Sequence, residues 1–81
     1  MAIYHRVIRS NIAAELGRKG ISQREAANRL DLSPASFGSR LAGRTEFRLG
    51  ELIRLSEIIG VSFLTLIDGV DSENDDIQVT V

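Results

Sequence analysis

Few residues in this chain are equipped for covalent chemistry. There is one histidine, His5, and no cysteine. Neither a nucleophile–base pair nor a Cys/His zinc set can be assembled from that inventory. His5 falls at a helix start and reads as a solvated side chain. The carboxylates Asp71, Asp75 and Asp76 stand close together, yet that stretch lacks the Gly and the closing Glu of a calcium loop and reads as an acidic linker. The expectation is therefore no enzyme, no cofactor and no metal. What stands out instead is SQREAANRLDLSPASFGSRL, residues 22–41, whose second half carries almost nothing large on the side that should face outward.

The elements that position this stretch follow from spacing and caps. Tyr4, Ile8, Ile12 and Leu16 recur every four residues, which predicts a first helix over about residues 3–18, ending near Gly17 and Gly20. Ser22 stands three residues before Glu25, the arrangement of a reciprocal cap, and opens a second helix that runs to about Leu30. Ser33 followed by Pro34 opens a third, 33–42, because Ser caps the new helix and Pro is tolerated in its first turn. Gly43 closes it. Leu49, Leu52, Ile53, Ser56 and Ile59 predict a fourth helix ending at Gly60, and Ser62 caps a short fifth around Phe63–Ile67. Gly69 ends the all-α, five-helix domain, expected to span residues 1–69.

Composition bounds the class. At 81 residues, 43% apolar and 5% aromatic, the chain is sized for one small domain with an aliphatic core. All ten Lys and Arg lie within residues 1–69 against seven acids, a balance of +3, whereas residues 70–81 hold four acids and no base. A mildly basic body suits a polyanionic partner without establishing one. The segment 70–81 reads as an acidic linker followed by IQVTV, whose alternation is a strand pattern that is either disordered or paired with another chain. No apolar run has the length of a signal peptide or of a membrane span, and with no cysteine the expected location is the cytoplasm.

Gln23 opening the second helix, Ala27 on its inner side and Phe37 inside the third resemble the helix-turn-helix of phage repressors and Cro-like regulators. The resemblance extends over NIAAELGRKGIS before the motif and over GRTEF and ELIRLSEIIGVSFLTLIDG after it, about residues 7–69. It implies a lambda-repressor-like fold whose third helix enters the major groove of a double-stranded DNA operator. It also implies that Ser22 and Gln23 meet a phosphate, with Arg24, Arg44 and Thr45 adding contacts beside them. Ala27 is small because the third helix crosses the second there at close range. Asp31 stands where the family usually has Gly, at a turn position that commonly has positive φ, which Asp also accepts. The Arg and Glu that form a buried pair in many relatives are Leu16 and Leu41 here, a replacement that is commonly neutral or stabilising by about 1–4 kcal/mol.

Two charged residues fall near the expected core. Stepped at the helical angle, Glu15 lies between Tyr4, Ile8 and Ile12, and a carboxylate there needs a partner. Arg40 lies on the edge of the Phe37–Leu41 stripe, at a position usually apolar in the family. The expectation is an ion pair between Glu15 and Arg40 across the first and third helices, the alternative being that each reaches water separately. That leaves Ala35, Ser36, Gly38, Ser39 and Ala42 outward. Ala35 suits a thymine methyl, and Ser36 and Ser39 suit single hydrogen bonds to base edges. Discrimination then also draws on DNA shape, bridging water and Arg44 and Thr45. The same smooth side could instead pack on another protein.

So modest a net charge argues for two copies on one operator, a homodimer joined through the apolar fifth helix, the C-terminal tail, or both. A second reading is an antitoxin or other protein-interaction module whose tail adds a strand to its partner.

Overall fold

The computed structural model describes residues 4 to 71. Its elements are α1 (Tyr4–Lys19), α2 (Gln23–Arg29), α3 (Pro34–Leu41), α4 (Leu49–Ile59) and α5 (Phe63–Leu66). The fold is all-α, as expected, with boundaries within about two residues of those read from caps. The backbone is helical again at Val70 and Asp71, and Val70 packs at the core's fringe, one residue past the expected domain end. The IQVTV tail and the Tyr4 side chain lie outside the described residues.

Local chemistry explains where helices start. Ser22, Ser33 and Ser62 each hold extended backbone angles and accept an N–H three residues on, from Glu25, Ser36 and Thr65. Each satisfies one of the amides that a helix start leaves unpaired. The reciprocal half of the cap expected at Ser22 does not form, because the Glu25 carboxylate pairs with Arg29 one turn along, at 2.6 Å. The start of α4 has no hydroxyl cap; there Glu51 accepts the backbone N–H of Arg48 at 2.9 Å.

One core holds the helices. Phe37, Ile12, Leu55 and Leu66 are fully buried, joined by Ile8, Leu16, Leu30, Leu52 and Ile59. Phe47, just before α4, meets Phe37 edge to face. Ala26 and Ala27 are completely buried where α2 packs on α3, which is why no larger side chain fits between these helices. The expected stripe of α4 needs correction. Its buried residues are Leu52, Leu55, Ser56 and Ile59, while Leu49 and Ile53 are 64% and 45% exposed. Leu55, three residues after Leu52 and four before Ile59, centres the stripe and turns Leu49 and Ile53 to its rim.

The short α5 is tied down from outside. Asn11 of α1 donates through Nδ2 to the carbonyls of both Leu66 and Asp68, each at 2.9 Å. Four helical residues cannot hold themselves, so these bonds and the burial of Leu66 fix the element.

Candidate nucleic-acid interface

The turn between α2 and α3 is set by a single residue. Asp31 has φ of 60°, the left-handed conformation expected of it, and the N–H of Leu32 reaches back to the carbonyl of Ala27 at 2.9 Å. The reversal is tight enough that Ser33 caps α3 immediately. Pro34 occupies the first turn, where its missing N–H costs nothing.

On α3 the inward residue is Phe37, and Leu41 packs against the core beside it. The outward side is as bare as its residue types imply. Ala35 is exposed and Ser36, Gly38 and Ser39 are partly exposed. A Cβ built on Gly38 would meet nothing within 4 Å, so no part of the described chain requires glycine there. Ser33 Oγ accepts the Ser36 N–H at 3.1 Å and donates to Ser36 Oγ at 3.0 Å.

Flanking residues gather at both ends of α3. Ser22 and Arg24 line a cavity of about 460 Å³ with Glu25, Asn28, Leu32 and Pro34, which joins the start of α2 to the start of α3. Gln23 is exposed beside it. At the other end the N–H groups of Arg44 and Thr45 both bond the carbonyl of Ser39, at 2.9 and 3.4 Å, fastening the following loop to the last turn of the helix. Between them, Gly43 has φ of 85°, and the Arg9 guanidinium lies 3.0 Å from where its Cβ would stand. A side chain at this position would be strained and would displace Arg9. His5 is partly buried rather than solvated, with Nε2 3.4 Å from Glu46 in the same loop.

The expected pair between Glu15 and Arg40 does not form. Glu15, its side chain 13% exposed, pairs with Arg18 at 3.1 Å, one turn along its own helix. Arg40 turns to α4, where Nε and Nη2 donate to the two carboxylate oxygens of Glu51 at 2.9 and 3.0 Å. Its Nη1 donates to the Ser36 carbonyl at 3.2 Å. Both expected partners are thus taken by nearer groups. The side chains of Arg40 and Glu51 are 11% and 17% exposed, so the pair is largely out of water. Burial alone would raise the Glu51 carboxyl. The hydrogen bonds from Arg40 and from the Arg48 N–H, with the charges of both arginines, outweigh it and hold the carboxyl below its ordinary value.

Arg24, Arg44 and Arg48 are exposed, and among the described residues none has an acid within ion-pair distance. Sequence reasoning misses Arg48, although its position two residues beyond Glu46, in the loop after the third helix, is the signal that could have found it. No helix among the described residues is long and apolar enough to cross a membrane.

No curated protein and no solved structure matches the chain. A family description, helix-turn-helix, matches residues 12–66, about two thirds of its length, and takes in α2, the turn, α3 and α4 entire. The match is to the family of Cro- and repressor-like regulators. The chain belongs to the helix-turn-helix family, whose members are DNA-binding regulators of transcription.

Proposed function

We propose that the protein is a sequence-specific transcriptional regulator of the phage-repressor or Cro-like kind, which binds a double-stranded operator as a homodimer with α3 in the major groove. The observation that carries this reading is the uncovered outer side of α3. Ala35, Ser36, Gly38 and Ser39 leave its backbone open to close approach, and among the described residues nothing lies near enough to Gly38 to require it to lack a side chain. In this reading Ala35, Ser36 and Ser39 meet base edges. Ser22, Gln23, Arg24, Arg44 and Thr45 meet phosphates on either side, with Arg48 added by its place in the same loop.

Pairing of two copies is supported by surface that one small core does not hide. Leu64 on α5 is 70% exposed, and Leu49 and Ile53 stand one turn apart on α4. Two-fold pairing also doubles the phosphate-facing charge that one copy supplies.

Selection of bound duplexes from a random pool, at a fixed salt concentration, tests the reading. Enrichment of a site with two-fold symmetric halves is expected, and the spacing of those halves by about one helical turn would match a dimer. A pool that emerges unenriched removes the regulator. Sedimentation of the protein alone, compared with a Leu64→Lys variant, separately tests the α5 contact.

A further inference from the structure

We propose that Arg40 and Glu51 are positioning residues for DNA binding, a clamp that fixes the rotation of α3 against the start of α4 without either side chain touching the duplex. The inference rests on the major-groove reading of α3 above.

Geometry supports a directional role. Arg40 is the only charged residue of α3, and all its donor nitrogens are occupied, two on the Glu51 carboxylate and one on the Ser36 carbonyl of its own helix. The guanidinium is therefore anchored on the helix it orients. Glu51 Oε1 also accepts the Arg48 N–H at 2.9 Å, which carries the restraint into the end of the loop that holds Arg44 and Thr45. A planar guanidinium–carboxylate fork resists sliding and turning alike, whereas aliphatic contacts such as those of Leu41 oppose separation but have little directional preference.

The bare surface of α3 gives such a restraint its purpose. Ala35, Ser36, Gly38 and Ser39 have short side chains or none, so no change of rotamer can restore their reach to a base edge once the backbone has turned or shifted. Long side chains tolerate a loosely held helix; short ones require it to be held within a fraction of an ångström and a few tens of degrees. Stability is a poor alternative explanation for the pair, because apolar residues of similar volume commonly do as well in a largely buried site.

The test uses the full-length chain with three variants: the double substitution R40L/E51L, the single R40K and the single E51Q. Each is measured for thermal unfolding and for affinity toward the selected duplex and a random duplex at the same salt. The double variant is expected to melt near or above the wild-type temperature, yet to lose preference for the selected duplex at least ~tenfold, the effect of one mismatched base pair. Its salt dependence on random duplex stays as in wild type, since no phosphate-facing cation has been removed. R40K keeps the charge without the fork, and E51Q keeps an acceptor for the Arg48 N–H without the charge; in preference both fall between wild type and the double variant, while both melt below wild type because each leaves a partner behind. A folded double variant with wild-type preference overturns the clamp. If the double variant does not fold, full preference in R40K overturns it equally. A wild-type chain that selects no site removes the regulator and the clamp with it, an outcome the wild-type control alone reveals.

Discussion

Phe37 of α3 and Phe47 of the segment before α4 meet edge to face, 5.8 Å between ring centroids with the planes at 71°. Phe37 is completely enclosed, whereas Phe47 keeps an edge at the surface. The contact joins α3 to the loop that follows it, through the ring quadrupole as well as through burial. Phe37→Ala should cost about 3–5 kcal/mol, the cost of removing a buried aromatic and leaving a cavity. In a domain this small that is a large share of total stability, so far-ultraviolet dichroism should show much of the chain unfolded at 37 °C. Phe47→Ala should cost less, because the site opens to water and can relax. Urea midpoints in the reverse order would show that Phe47 is the true keystone.

The Glu51 carboxyl makes stability depend on acid in a defined direction. Its folded value lies below the ordinary 4.5, so the unfolded state binds the proton more readily. Stability from the pair is then fully present above pH 4.5 and is lost as pH falls through the lowered folded value. Melting temperatures of wild type and Glu51→Gln, measured from pH 7 downward, should differ most at neutral pH and converge in acid. Parallel curves would show that the carboxyl titrates alike in both states.

Gly38→Ala should change stability and DNA binding in opposite directions. A methyl group there meets nothing, and alanine in place of glycine inside a helix stabilises by about 0.5–1 kcal/mol. If α3 enters the major groove as proposed, the same methyl projects toward the groove floor and would hold the backbone away. A higher melting temperature with weaker affinity for the selected duplex is the expected outcome. Unchanged affinity would place the closest approach elsewhere on α3.

What could be read before the structure was mostly local. Ser22, Ser33 and Ser62 cap their helices, Asp31 turns left-handed and Ala27 is buried, because each of these depends on neighbours within four residues or on a helix crossing that the motif itself implies. The partner of Arg40 was not legible. Angular position placed it at the edge of its stripe, but which helix that edge faces depends on how α4 lies, and nothing in the spacing of α4 fixes that. Glu15 misled for a related reason: a near-buried carboxylate suggested a distant partner when Arg18 was already within reach. The stripe of α4 drew in Leu49 and Ile53 because periodicity identifies an apolar face without saying how much of it the core is large enough to cover. Asn11 carried no signal at all, since its two acceptors lie over fifty residues away on the backbone.

The left-handed Asp31 gives the last test. At φ of 60° a side chain with Cβ crowds its own backbone, at a cost Asp partly escapes through its short polar side chain. Its contact with Arg54, 3.6 Å long and with the Asp side chain 84% exposed, contributes little in water. Arg54 keeps its hydrogen bond to the Arg29 carbonyl at 2.8 Å whatever stands at 31. Asp31→Gly removes the crowding but adds freedom to the unfolded chain, so the two nearly cancel and stability should stay within about 1 kcal/mol of wild type. Asp31→Val brings a β-branched side chain into the same angles and should cost about 1–3 kcal/mol, several degrees of melting temperature for a domain of this size. DNA affinity should follow the same order, because the turn sets where Ser33 begins α3. Valine melting at or above aspartate would mean that the turn relaxes out of the left-handed region, and with it the angle between α2 and α3.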